Sequence, residues 1–254
     1  MAGTSNDCNP DQPGIWLCHQ IPRNLAAPPD WMLTSEADKL NALEGTRRQE
    51  FLTSRWLVRQ ALSHASGATL TDCQPAPGRP VASAVPEGWH LSLSHSHGLT
   101  ACAIGRSPVG IDIEPSQRRP DWVRVVKRWF SAVEQEWLLA TDDPFSFLKA
   151  WTLKEAWLKA TGRGIAGNLQ TLEVRKQLEL YGDQPDRHWQ ACGFYVDGFL
   201  VSLVYPHSAR SGDQEAWPGI SLLEPPPEDY RLTRAERQPT NWEPLFHRVI
   251  RAKP

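Results

Sequence analysis

The chain has 254 residues, which suits one large domain or two small ones with an ample core. A formal charge of −2 gives no global field to draw it to nucleic acid or a membrane surface. The cysteines, Cys8, Cys18, Cys73, Cys102 and Cys192, are an odd set without a CxxC, which excludes a disulfide or zinc framework and reads as reduced thiols of a cytoplasmic protein.

Residues 1–13 are polar with two prolines and read as a flexible N-terminus, without the charged and apolar regions of a secretory signal. No apolar run is long enough to span a bilayer. Gly14–Ile21 reads as a short strand and Pro22–Pro29 as a linker. A helix starts near Thr34 or Ser35 as N-cap and runs towards Leu43. A second, about 46–64, carries Phe51, Val58 and Leu62 on one face, with Arg55 inside that face and Arg48 and Arg59 along its flank. Such a row either snorkels to water or grips phosphate through planar bidentate donors. Residues 65–88 form a long loop containing Pro77-Gly78-Arg79-Pro80.

A meander follows. Trp89–Ser94 alternates, His95-Ser96-His97-Gly98 turns, Leu99–Ile104 is β-prone, and Val109–Glu114 is a third strand. By the two-residue period Val109, Ile111 and Ile113 face the core, and Gly110, Asp112 and Glu114 face the other way. Asp112 and Glu114 then project side by side, about 7 Å apart along the strand. Adjacent carboxylates stay ionised in solvent, as an edge-guarding pair, or around a divalent cation. All-oxygen ligands suit Mg2+ or Mn2+, not zinc.

Residues 122–130 read as a helix with Trp122, Val125, Val126 and Trp129 on one face and Arg124, Lys127 and Arg128 opposite. With Arg118 and Arg119 this is the most basic stretch of the chain, a solvated face or a docking surface for an acidic partner. Ser131-Ala132-Val133-Glu134 fits a capping box opening a helix through Leu139, so Glu134 has a structural explanation. The central helix runs from Phe145 to about Ala160, stopped by Gly162-Arg163-Gly164. Phe147, Leu148, Trp151 and Leu158 share one face, and Glu155 falls inside it. A buried carboxylate needs a cation. Lys159, one turn on, supplies one internally or meets an outside anion. After Leu172 the pattern is β-like, with a hairpin Gly193–Val196, Asp197-Gly198, Phe199–Tyr205. From His207 the chain is Pro-rich and reads as an extended tail that wraps the body or stays partly disordered.

Paired carboxylates on a strand, a carboxylate and a Lys on a helix, a Ser-His-Ser turn and a row of Arg make the equipment for phosphoryl chemistry on a polyphosphate. There is no GxxxxGK[ST] and no GxGxxG. Leu93-Ser94-His95-Ser96, then Val109-Gly110-Ile111-Asp112-Ile113-Glu114, then Trp151-Thr152-Leu153-Lys154-Glu155-Ala156-Trp157-Leu158-Lys159 resemble the ordered motifs of the 4′-phosphopantetheinyl transferases. Length and the stretch Arg47–Arg55 resemble the Sfp/EntD type. The likeness covers about 30–205.

The resemblance implies an enzyme that moves the phosphopantetheine arm of coenzyme A onto a serine of an apo acyl or peptidyl carrier protein, releasing adenosine 3′,5′-bisphosphate. By similarity Asp112, Glu114 and Glu155 would hold Mg2+, and Lys159 would neutralise the pyrophosphate. Arg79 and His95, with Ser94 beside them, would grip the 3′-phosphate; Arg48 and Arg55 match upstream basic positions. The base would be Glu155, Glu134 or metal-bound water. Ser92 stands where the family often has Asn. The implied fold is α+β, two similar α/β halves with pseudo-two-fold symmetry and the active site in the cleft between them. It divides the chain into 1–13, 14–107, 108–206 and a 207–254 tail and leaves a monomer complete. The alternatives are a non-catalytic module that binds CoA or a carrier protein, and a phosphohydrolase.

Overall fold

A computed structural model of the chain describes residues 12–23, 25, 27–77, 81–206 and 217–253. The flexible N-terminus expected over 1–13 lies almost wholly outside the described residues, as does Arg79. In chain order the elements are β1 (Gly14–His19), α1 (Thr34–Asn41), α2 (Gly45–Ser66), β2 (Gln74–Pro75), β3 (Ser83–Val85), β4 (His90–Ser96), β5 (Leu99–Gly105) and β6 (Gly110–Pro115). Then come α3 (Trp122–Trp129), α4 (Ala132–Thr141), α5 (Pro144–Ala160), β7 (Leu172–Val174), β8 (Leu180–Gly182), β9 (Trp189–Val196), β10 (Phe199–Pro206), β11 (Ile220–Leu223), β12 (Arg237–Gln238) and β13 (Trp242–Ala252). Among the described residues no helix is long and apolar enough to cross a membrane. The chain is mixed α/β and forms two compact units, residues 1–107 with 217–239, and residues 108–216 with 240–254.

In the first unit the sheet order is β12-β11-β1-β5-β4, with β1 antiparallel to β5 and parallel to β11. Trp16 and Cys18 of β1, Leu91 of β4 and Cys102 and Ile104 of β5 share a core with Leu52, Trp56 and Leu62 of α2. Every α2 residue from Leu52 to Ser63 is buried, so this helix is enclosed on all sides. The enclosure comes from the sheet, from α1 and from the segment around Tyr230. The Tyr230 hydroxyl lies 2.9 Å from Thr53 Oγ1, and Gln60 donates to Thr233 O at 2.7 Å.

In the second unit the order is β6-β10-β9-β13-β8-β7. β9 and β10 form the expected hairpin, with positive φ at both Asp197 and Gly198. α5 lies on one face, its Ala156 and Leu153 packed with Leu200, Val204, Phe246 and Ile250. Asp143 caps α5, accepting from Phe145 N and Ser146 N at 3.0 Å each, with Pro144 in the first turn. α3 leans on α5 through Phe147, whose ring is 6.0 Å from Trp122 and 5.9 Å from Phe130, the residue that ends α3.

The stretch read as an extended tail instead supplies strands to both units. β11 runs parallel to β1, and β13 sits inside the second sheet between β9 and β8. Pro244 hid this in the sequence, because it falls where the β13 register shifts and no ladder bond is required of it.

Candidate active site

β6 carries the carboxylates, and both of its faces are covered: Val109, Ile111 and Ile113 are buried as expected, and the carboxylate face is buried as well. Lys159 of α5 bonds Asp112, so Gly110, Asp112 and Glu114 face the helix, while Ile111 and Ile113 occupy the other face. All of these residues are buried, Asp112 being 6% and Glu114 7% exposed. Alternation identified the two faces, but not which of them the helix covers. Lys159 Nζ donates to Asp112 Oδ1 at 2.8 Å and to Ile111 O at 2.9 Å. Arg118 Nη1 bonds Glu114 Oε1, so each strand carboxylate faces a cation. Charge at the C-terminal end of α5 favours a cation such as Lys159.

α5 is apolar and buried nearly all round, and from Trp151 onwards its half-open positions are Trp151, Glu155 and Lys159, one turn apart. Glu155 is therefore not the buried charge of this helix. That charge is Lys154, fully enclosed, 2.6 Å from Glu134 Oε1 and bonded to Leu169 O and Leu172 O. Burial lowers the Lys154 pKa, and Glu134 opposes the shift. Glu134 also accepts from Ser131 N and Val174 N, each at 2.8 Å. Its capping box is real. With no exposed surface and both oxygens engaged, it is out of reach of a substrate hydroxyl, which corrects its candidacy as base.

Thr152 Oγ1 donates to Leu148 O at 3.0 Å, so the Ser202 hydroxyl, 2.7 Å away, donates to it. Ser202 is the register partner of Asp112 on β10, and its role carried no signal in the sequence. Among the described residues no three His, Cys, Asp or Glu side chains gather around one point, so Asp112, Glu114 and Glu155 do not close a three-ligand cage. The Asp112–Glu114 pair does fit a hard divalent cation, because Mg2+ uses one or two carboxylates and completes its shell from phosphate and water.

The first unit treats its basic residues unequally. Arg55 is buried, with Nε 3.1 Å from Glu36 Oε1, and Arg59 Nη2 lies 2.7 Å from Glu36 Oε2. The Arg55 pKa is lowered by burial, against the raising effect of Glu36. Arg55 and Arg59 thus neither snorkel nor face a ligand, which corrects the reading of Arg55 as a phosphate contact. Glu36, on a separate helix, was the missed partner. Arg48 is half-buried and bonds Leu40 O at the end of α1. His95 is exposed, with Nδ1 3.4 Å from Glu50 Oε2. Ser94 is buried and, as the next residue of the strand, projects to the opposite face, so the two side chains are not neighbours.

The model of the 4′-phosphopantetheinyl transferase N-terminal domain matches residues 36–105, and that of the 4′-phosphopantetheinyl transferase superfamily matches 108–204. The chain is 33% identical over 116 residues to the 4′-phosphopantetheinyl transferase Sfp of Bacillus subtilis, covering 44% of this chain and 50% of that protein. It is 38% identical over 101 residues to the 4′-phosphopantetheinyl transferase psf-1 of Bacillus pumilus, covering 39% and 42%. Against a putative 4′-phosphopantetheinyl transferase of Synechocystis sp. it is 28% identical over 201 residues, covering 70% and 78%. The matched region spans about half the length of the two Bacillus relatives. With the carboxylate strand and the Trp151–Glu155–Lys159 stripe inside one family model and Ser94 and His95 of β4 inside the other, the chain belongs to the 4′-phosphopantetheinyl transferase superfamily and is of the Sfp type.

Proposed function

We propose that this protein transfers the 4′-phosphopantetheine group of coenzyme A to a serine hydroxyl of an apo acyl or peptidyl carrier protein, releasing adenosine 3′,5′-bisphosphate. The observation that carries the reading is the buried Asp112–Glu114 pair on β6, with Asp112 met by Lys159 from the half-open Trp151–Glu155–Lys159 stripe of α5. The carrier serine oxygen bonds to the phosphorus that bears pantetheine. The bond from that phosphorus to the bridging oxygen breaks, and the adenosine bisphosphate leaves with the electron pair. The serine proton goes to a base. We assign that role to Glu155, half-open and one turn from Lys159, with metal-bound water as the other candidate. Lys159 supplies positive charge where the leaving pyrophosphate oxygens gain negative charge.

Asp112 and Glu114 would hold the divalent cation, which we assign as Mg2+ with Mn2+ as a substitute. Bound there, the cation neutralises pyrophosphate oxygens and orients them. His95 and Arg48 are the family-matched candidates for the 3′-phosphate end; Ser94 projects away from His95, and Arg79, the further family-matched position, lies outside the described residues.

The carrier docks, on this reading, on the basic stretch after β6. Arg124, Lys127 and Arg128 are exposed there, and the Arg128 guanidinium lies 4.8 Å from the ring centre of Trp129, itself 38% exposed. Arg118, at the start of that stretch, is exposed as well, with its guanidinium bonded to Glu114. Free, buried Cys18, Cys73, Cys102 and Cys192 support a reducing, cytoplasmic setting, and we read the protein as a monomer.

The test is the intact mass of an apo carrier protein after incubation with the full chain, CoA and Mg2+, with an EDTA control. A phosphopantetheine-sized gain that EDTA abolishes is expected. CoA binding with no gain on acyl or peptidyl carriers would overturn the assignment in favour of a binding module.

A further inference from the structure

Gly110 opens β6 on the face shared by Asp112 and Glu114. A Cβ there would stand 1.9 Å from Ala156 O, 2.5 Å from Ala160 N and 3.0 Å from Ala156 C. All three are backbone atoms of α5, so no change of rotamer relieves the clash. Gly110 is absent from the positive-φ glycines, so proximity, not backbone conformation, requires it. Two contacts depend on the same spacing. Lys159 reaches Asp112 Oδ1 at 2.8 Å and Ile111 O at 2.9 Å. Further up the helix, the 2.7 Å Thr152–Ser202 hydroxyl contact ties α5 to β10 beside Asp112.

We propose that Gly110 is a positioning residue. By letting the α5 backbone lie directly on β6, it sets the helix-to-strand distance that holds Lys159 on Asp112 and aligns the Glu155 stripe with the carboxylates. It touches neither substrate nor cation and acts through α5. Adding one methyl group must lift the C-terminal half of α5 away from the strand. The proposal rests on the transferase reading only in its kinetic consequence. Its geometric consequence stands apart.

The experiment compares Gly110→Ala with the unaltered full-length protein by peptide-resolved amine labelling and by transfer kinetics. Lys154 and Lys159 lie on the same helix, the first fully enclosed and the second partly open. Lifting the helix end is expected to speed labelling of Lys159 several-fold while Lys154 stays protected. kcat should fall by roughly a hundredfold, with the KM for CoA little changed. Ile250→Val, which thins the same core from β13, serves as the control. It should lower the melting temperature without altering Lys159 labelling or kcat. Unchanged Lys159 labelling in Gly110→Ala, or an equal kcat loss in Ile250→Val, overturns the proposal. If Lys154 also becomes reactive in Gly110→Ala, the unit has unfolded, and Ser202→Ala and Thr152→Val decide. Selective Lys159 exposure in either one upholds the spacing argument, and its absence in both rejects it. Should the unaltered protein transfer nothing, the labelling arm still gives its answer, so failure of the function and failure of this inference read differently.

Discussion

Lys154 Nζ lies 2.6 Å from Glu134 Oε1, and neither side chain touches solvent. The pair joins α5 to the start of α4. The carbonyls of Leu169 and Leu172 and the amides of Ser131 and Val174 satisfy the remaining donors and acceptors. Removing one partner strands a buried charge, so Lys154→Ala and Glu134→Ala should each cost about 3–5 kcal/mol. Replacing both with apolar groups of similar volume, Lys154→Met with Glu134→Leu, should recover most of that loss. Urea unfolding of the singles and the double checks this. A double variant no better than either single would refute the charge argument.

The strand carboxylates should behave differently if, as proposed, they act through charge and not packing. Asp112→Asn and Glu114→Gln keep shape and are expected to leave the unfolding free energy within about 1 kcal/mol of the parent. Both should cut transfer at least about a hundredfold, the size of loss seen when a transition-state charge contact goes. Normal transfer by either would remove that carboxylate from the site. Chelation should mimic the loss of either carboxylate, with activity returning on adding Mg2+.

If the exposed cations of α3 receive an acidic carrier, reversing Arg124 and Arg128 to Glu should raise the apparent KM for carrier about tenfold or more. The KM for CoA should stay as it was. Salt should weaken the carrier interaction of the parent more than that of the variant. Equal shifts for both substrates would discard this surface.

What the sequence exposed and what it hid follows from range. The Asp112–Glu114 pair, the Asp197-Gly198 hairpin and the Glu134 capping box are short-range patterns, read directly from spacing. The fate of a charge is not local. Arg55 looked open to a phosphate because Glu36, its neutralising partner, sits on another helix. Glu155 and Lys154 are adjacent, and helical periodicity marked the wrong one as enclosed. α5 is covered on most of its circumference, so the apolar face drawn from Phe147, Leu148, Trp151 and Leu158 was only part of what is buried. Gly110 carried no mark at all, since its meaning lies in the backbone of a helix forty-odd residues later.

Asp143 ties the start of α5 to acidity. Burial raises its carboxyl pKa, but the Ser146 hydroxyl, the amides of Phe145 and Ser146 and the nearby Lys149 outweigh this and hold it below the ordinary 3.8. A carboxyl depressed in the folded state contributes stability above its unfolded pKa, and that contribution disappears as pH falls through the folded value. Asp143→Ala should therefore cost about 1 kcal/mol at neutral pH, as loss of an N-cap does. The gap between parent and variant should close as the pH is taken below 3.8. Denaturant melts across that range test it, and a gap that widens in acid would contradict the capping account.

The C-terminal strand gives the sharpest separation between an appendage and a core element. Phe246 of β13 is paired with Gly193 of β9, and a Cβ on that glycine would stand only 2.2 Å from the ring. The ring fills the space the glycine leaves and joins the core under α5. Phe246→Ala should cost on the order of 3–5 kcal/mol, the usual loss for a buried aromatic. Val249→Ala, on the exposed side of the same strand, should cost no more than about 0.5 kcal/mol. Were residues beyond 206 only wrapped around a finished domain, both changes would be small. A large loss at Phe246 beside a small one at Val249 requires β13 to be a working strand of the second sheet. It follows that a chain cut after Pro206 should lose an inner strand from both sheets at once, because β11 pairs with β1 and β13 lies between β9 and β8. Loss of the cooperative urea transition in that truncated chain is the expected result, and a native-like transition would return the segment to the status of a tail.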